Sequence, residues 1–268
     1  MSNARYIQDL IKKYDLKASK RFGQNFLIDQ SIIDRIIDAA KIQDQEVIEI
    51  GPGLGSLTNA LLQQAKNVCA YEIDRNMIKV LKSEIKDTHF ELRDQDFLKA
   101  PLDWQGTKVL VSNIPYNITS DILFHIFKHN TKFSSATIMM QKEVGERLLA
   151  KVGSKNYGKL TLTTRLFATV SQVTLVPPNS FIPAPKVTSI VIKFNFIHKD
   201  YQSQIPLLNF IKLCFSFRRK TLVNNLKQKY QTKIINNVLQ QMKLSLSIRP
   251  QELSLTNVEQ LFNLLNDI

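Results

Sequence analysis

Between residues 47 and 149 the sequence alternates between two hydrophobic periods. Apolar runs of strand length lie at 47–50, 67–73, 90–92, 108–112 and 136–140. Stretches of helical period fall between or after them at 57–64, 77–85, 121–127 and 143–149. Short apolar strands separated by helices pair in parallel, because a parallel pair needs a long crossover and a helix supplies it. The pattern therefore predicts an α/β fold: a parallel sheet with helices on both faces. A further helical period spans 30–40, with Ile32, Ile33, Ile36, Ile37 and Ala40 on one side. Residues 5–22 form a polar, basic lead-in with one amphipathic helical signal, and 23–27 follow as a loop. Pro177, Pro178, Pro183 and Pro185 precede a last apolar run at 189–194, and beyond about 198 the pattern is helical only. Two domains are expected, 1–196 carrying the sheet and 197–268 a small all-α domain.

Open parallel sheets bind ligands at the carboxyl ends of their strands. Gly51-Pro-Gly53-Leu-Gly55 follows the strand at 47–50. Glycine takes positive φ without strain and lets backbone approach a ligand closely. G-x-G-x-G is not the G-x-G-x-x-G of dinucleotide binding. Without a pyrophosphate grip, the loop suits a cofactor that carries no phosphates, such as S-adenosylmethionine. Glu72 closes the next strand, where a carboxylate can accept from both hydroxyls of a ribose. Asp96 follows the third strand and could accept from an adenine amine. Taken singly, each acid also fits a helix cap or a solvated loop, and Asp74 is the better cap.

The fourth strand ends in Asn113-Ile114-Pro115-Tyr116. The Asn113 side chain offers an amide oxygen. Ile114 precedes proline, which pushes its backbone away from helix and frees its carbonyl to point outward. Pro115 stiffens the turn, and Tyr116 gives a flat face with a polar tip. Two acceptors beside an aromatic plate suit a planar ring with an exocyclic amine, such as adenine. The tetrapeptide alone fits a strand-to-loop turn with a buried tyrosine equally well. The glycine loop, Glu72, Asp96 and Asn113 at four successive strand ends make a ligand site the better reading.

Formal net charge is +13, which favours a polyanionic partner, nucleic acid first. Basic residues concentrate in two zones. Residues 197–268 hold ten Lys/Arg against four Asp/Glu, and the first 25 hold six against two. No apolar run is long enough to span a membrane, and the N-terminus lacks a signal-peptide core, so cytoplasm is the expected location. Cys69 and Cys214 read as buried reduced thiols. His125 and His129 are four apart with no third ligand in view, so no metal site is expected.

These residues carry a resemblance. The stretches at 23–27 (Gly-Gln-Asn-Phe-Leu), 49–55, 72–74, 113–116, 141–144, 157–160, 181–187 and 215–222 resemble, in order, the ribosomal RNA adenine dimethyltransferase family, most closely its small-subunit (16S) enzymes. The resemblance implies a Rossmann-like S-adenosylmethionine-dependent methyltransferase sheet followed by a small C-terminal all-α domain. It implies a cofactor site of Asn25, Leu27, Gly51, Gly53, Glu72, Asp96 and Asn113. It implies a flipped adenine between Tyr116 and Phe181, its amine held by Asn113 and the Ile114 carbonyl. A base inside a duplex must be extruded before its edge can react. Accepting both amine protons turns the nitrogen lone pair toward the methyl group, so no catalytic His or Cys is expected.

Arg218, Arg219 and Lys220 are expected to contact RNA phosphate, although a solvated helix face would also account for them. The partner implied is 16S rRNA within the small subunit or its precursor, approached by a monomer. The sequence departs from the family at Phe217, where a small or polar residue such as Gln is expected. The nearest alternatives are a large-subunit (23S) dimethyltransferase conferring macrolide resistance and a nucleic-acid-binding relative that lost catalysis. A DNA adenine methyltransferase fits less well, lacking here both an Asp at the first motif position and a separate target-recognition domain.

Overall fold

The computed structural model describes residues 3–16 and 23–266, so Lys17, Lys20 and Arg21 of the N-terminal basic zone lie outside the described residues. The elements run α1 Asn3–Lys13, β1 Phe26–Leu27, α2 Gln30–Ala40, β2 Glu46–Ile50, α3 Ser56–Leu62, β3 Asn67–Glu72, α4 Arg75–Glu84, β4 Phe90–Asp94 and β5 Lys108–Asn113. They continue α5 Thr119–Lys128, β6 Phe133–Gln141, α6 Lys142–Leu149, α7 Lys159–Phe167, β7 Ala168–Val176, β8 Phe181–Ile182 and β9 Ser189–Phe196. Helices α8 Tyr201–Cys214, α9 Leu222–Leu226, α10 Thr232–Gln241 and α11 Leu255–Asn266 complete the chain.

A seven-stranded sheet has the order β4-β3-β2-β5-β6-β9-β7. Strands β4 to β6 are parallel, as the alternation requires. The all-parallel expectation fails at β9, which pairs antiparallel with β6. Gln141, the last residue of β6, faces Ser189, the first of β9, so the chain returns at the end of β6 it left and runs back down. The segment at 23–27 is not all loop either. Phe26 and Leu27 pair antiparallel with Ile182 and Phe181.

The helical period in α2 becomes a buried stripe. Ile32, Ile33, Ile36 and Ile37 pack with Leu57 and Leu61 of α3 against Val47, Val68 and Val109 of the sheet. A fully buried isoleucine contributes roughly 1.5–3 kcal/mol. Asp29 caps α2 by accepting from the Ser31 N–H, and Lys41 ends it in the left-handed conformation. A second cluster joins Ile7 and Leu10 of α1 to Met77 and Val80 of α4.

The chain forms two compact units, and the division differs from the expected one. The sheet unit comprises Met1–Gly145 and Val170–Phe196; the helical unit comprises Glu146–Thr169 and Ile197–Ile268. Residues 146–169 were expected with the sheet, but long-range bonds tie them to the C-terminal helices. The buried Tyr157 donates to the Leu253 carbonyl at 2.7 Å, and the Gly153 N–H to the Gln251 carbonyl at 2.7 Å. Among the described residues no helix is long and apolar enough to cross a membrane. Cys214 is buried and Cys69 only half-buried; both are free, and burial pushes each thiol up to about 12.

Candidate cofactor and base site

A cavity of about 340 Å³ opens at the carboxyl ends of β2, β3, β4 and β5. Strands β3 and β5 flank β2 on opposite sides, so the chain order reverses there, the usual place for a ligand crevice. Every residue expected to hold a cofactor lines this cavity: Asn25, Leu27, Gly51, Gly53, Glu72, Asp96 and Asn113. Ile114, Pro115 and Tyr116 line it too.

The glycine loop turns where the sequence demands it. Gly51 and Gly53 have φ of +66° and +58°. A Cβ on Gly53 would meet the Phe26 ring at 3.3 Å. Two distant motif segments clasp beside this loop, because Gln24 Nε2 donates to Asp74 Oδ2 at 2.7 Å. Asp74 also caps α4 by accepting from the Asn76 N–H, as its position in the sequence predicts.

Glu72 is nearly buried, at 8% exposure. Its Oε1 accepts from the N–H groups of Ile73 (2.8 Å) and Asp74 (2.9 Å), and Oε2 from that of Gly53 (3.3 Å). Burial pushes the carboxyl above its ordinary value, the three N–H donors oppose the shift, and the Asp74 charge adds to it. Asp96 serves its own turn as well as the cavity, since Oδ1 accepts from the Leu98 N–H at 3.0 Å.

Asn113 Nδ2 donates to the Asn25 carbonyl at 3.3 Å. That contact sets the amide so that Oδ1 is its acceptor end. Beneath it, Ser112 Oγ donates to the Ile50 carbonyl at 2.6 Å and pins β5 to β2. The Tyr116 hydroxyl meets the Ser189 hydroxyl at 2.5 Å. Burial raises the Tyr116 phenol above its ordinary value, with the Ser189 bond opposing.

Phe181 lies behind the cavity wall, paired with the lining residue Leu27. It is 3% exposed and packs in the core with Leu27, Ile32 and Val176, and it does not line the cavity. Register explains the placement: β8 pairs Phe181 with Leu27, and both rest on the α2 side of the sheet. Arg218, Arg219 and Lys220 lie in the helical unit, exposed on the turn between α8 and α9.

Of the wall residues that the sequence reading missed, Glu49 and Ile73 bear most on the chemistry. Glu49 lines the cavity at 1% exposure and accepts from Thr58 Oγ1 at 2.7 Å. Burial pushes its carboxyl up to about 8, opposed by the Thr58 hydroxyl and reinforced by the Glu72 charge. A charge inside the apolar run 47–50 was the signal available. Ile73, 47% exposed at the cavity wall, is signalled only by its place beyond the end of β3.

Comparison with known proteins follows from this geometry. The profile of the family described as Ribosomal RNA adenine dimethylase matches residues 15–267. The Ribosomal RNA small subunit methyltransferase A of Mycoplasma mobile is 46% identical over 248 residues, covering 92% of this chain and 98% of the relative. That of Clostridium acetobutylicum is 41% identical over 230 residues, covering 82% and 83%. Among solved structures, a dimethyladenosine transferase from Plasmodium falciparum superposes with a TM-score of 0.79 at 31% identity, covering 90% of this chain and 98% of that one. The 23S rRNA methyltransferase ErmE gives 0.72 at 26% identity, covering 90% and 100%.

Proposed function

The chain belongs to the ribosomal RNA adenine dimethylase family, and from that premise we propose that it uses S-adenosylmethionine to dimethylate two adjacent adenosines near the 3′ end of 16S rRNA. It acts as a cytoplasmic monomer on the small subunit or its precursor. The observation that carries this reading is the charge of the cavity. Among the described residues lining it are Glu49, Glu72 and Asp96, with no Lys or Arg. Such a wall offers no cation to the phosphates of a dinucleotide. It suits a ligand that brings its own positive charge, because burial raises the Glu49 and Glu72 carboxyls and a cation beside them offsets the cost of ionising them. When bound, S-adenosylmethionine supplies an electrophilic methyl on a cationic sulfur. In this reading Glu72 accepts from the ribose hydroxyls of the cofactor and Asp96 from its adenine amine.

The acceptor base is held by the chain itself. Tyr116 offers its ring face, and stacking on an aromatic contributes roughly 1–3 kcal/mol per base. Asn113 Oδ1 and the Ile114 carbonyl accept the two amine protons, which fixes the nitrogen lone pair in line for transfer. Orientation of this kind can lower a barrier by several kcal/mol. The methylated nitrogen is acidic and sheds its proton without a dedicated base. Arg218, Arg219 and Lys220 contact RNA phosphate.

The curated relatives named for the small subunit, at up to 46% identity, favour 16S rRNA over the 23S substrate in the name of ErmE. The test is parallel transfer of labelled methyl to small subunits lacking adenine dimethylation and to protein-free large-subunit RNA. Label on the small subunit alone is expected. Label on the large-subunit RNA alone would make the chain a large-subunit enzyme. Label on neither, with cofactor bound, would make it a binding protein.

A further inference from the structure

Phe217 is the most exposed of the large hydrophobic side chains among the described residues, at 56%. An aromatic ring left in water forgoes roughly 1.5–3 kcal/mol of burial. Its backbone is anchored from both sides. Its N–H donates to Asn225 Oδ1 at 2.9 Å, and Asn225 Nδ2 donates back to its carbonyl at 3.2 Å. Asn225 itself is fully buried, at 0% exposure. The Lys220 N–H donates to the same Phe217 carbonyl at 3.0 Å and closes the turn. A buried amide thus spends both its ends on fixing the backbone of one exposed residue. The three residues that follow, Arg218, Arg219 and Lys220, are all exposed cations, and Arg218 Nη2 is braced on the Tyr157 carbonyl at 3.5 Å.

An exposed aromatic ring on an anchored backbone, beside several cations, is the chemistry of single-stranded nucleic acid. Bases stack on the ring and the backbone runs over the charges. An acidic protein surface would need the cations and not the ring. We propose that Phe217 is a stacking platform for an unpaired base of the RNA, with Arg218, Arg219 and Lys220 on the flanking phosphates. This deepens the reading above and rests on its RNA substrate. The platform adds to the Tyr116 site: it grips RNA without presenting a base for chemistry.

The experiment uses the full chain and two separate readouts. Binding is measured by anisotropy of a fluorescein-labelled single-stranded RNA, which does not depend on methyl transfer; turnover is measured on small subunits lacking adenine dimethylation. Phe217→Leu keeps an apolar side chain at an exposed position and removes the ring. It is expected to weaken RNA affinity and raise KM by about 5- to 150-fold, the range set by one stacked base. Cofactor affinity and kcat stay unchanged, and Phe217→Trp restores RNA binding. The slope of affinity against salt is unchanged in Phe217→Leu, whereas Arg218→Ala reduces it by about 0.7, as loss of one phosphate contact on a single strand requires. Equal RNA affinity for Phe217→Leu and the wild type overturns the proposal. A wild-type chain that binds RNA through Phe217 but transfers no methyl would remove the enzymatic reading and leave this one standing.

Discussion

The hydroxyls of Tyr116 and Ser189 lie 2.5 Å apart and share a hydrogen bond. Ser189 is fully buried and is the first residue of β9, where it pairs with Gln141 of β6. The aromatic plate on the cavity wall is therefore held by the antiparallel strand of the sheet. Loss of one such bond costs about 0.5–1.5 kcal/mol. Ser189→Ala and Tyr116→Phe should each lower kcat/KM for RNA by about 2- to 10-fold. The double variant should lose no more than either single one, since all three remove the same bond. Tyr116→Ala removes the plate itself and should abolish turnover while calorimetry still shows cofactor binding. Additive losses in the double variant would mean that Ser189 does not act through Tyr116.

Glu72 combines burial with a place at the end of β3. Glu72→Ala removes a carboxylate expected to accept two ribose hydroxyls. Charge-assisted hydrogen bonds contribute about 1.5–3 kcal/mol each, so cofactor affinity should fall by more than tenfold. Calorimetric titration showing unchanged affinity would remove Glu72 from the site.

Glu49 predicts a pH dependence of stability. Its folded-state pKa stands at about 8 against an ordinary 4.5. The folded chain keeps this proton over a window in which the unfolded chain has lost it. Stability from this group is fully present below about 4.5 and is lost as pH rises through about 8. Glu49→Gln keeps an acceptor for Thr58 and cannot ionise. Relative to the wild type, the variant should gain stability between pH 5 and 8 at roughly 1 kcal/mol per pH unit. Denaturant titrations of the free proteins across that window check it, and parallel pH profiles would contradict it.

Gly145 tests the packing of α6 on the sheet. A Cβ there would lie 2.3 Å from Cγ2 of Ile190, a buried, branched side chain on β9. Overpacking of this kind costs about 1–3 kcal/mol. Gly145→Ala should lower the melting temperature, and Gly145→Ala with Ile190→Ala should lose less than the two single losses added together, because truncating Ile190 removes the clash. An unchanged Tm in the single variant would show that the contact relaxes freely.

The sequence carried the parallel pairing of β2 to β6 but not the strand order. Runs such as 108–112, buried on both faces, announce themselves as strands and put Asn113 at an end. Strand β7 does not, because five of its nine residues are exposed or half-exposed between the buried Ala168 and Thr174, and an edge strand of this kind shows no apolar run. Helix α7 was invisible for the opposite reason. Leu160 to Thr164 are all buried, so no amphipathic period survives, and three β-branched threonines weaken the helical signal. Gly51, Glu72, Asp96 and Asn113 were legible because they fall at or just beyond the ends of β2, β3, β4 and β5, whereas Asn25 and Leu27 came only with the resemblance. The burial of Phe181 was not legible, because it depends on pairing with Leu27, which lies 154 positions earlier and which no local pattern encodes.

The most direct measurement of the central claim is the identity of the product. Small ribosomal subunits lacking adenine dimethylation are incubated with labelled S-adenosylmethionine and either the wild type or Asn113→Ala. The RNA is then digested to nucleosides and analysed by mass spectrometry. The account predicts dimethyladenosine from the wild type and none from Asn113→Ala. Label in any other nucleoside, or equal dimethyladenosine from both proteins, would contradict it.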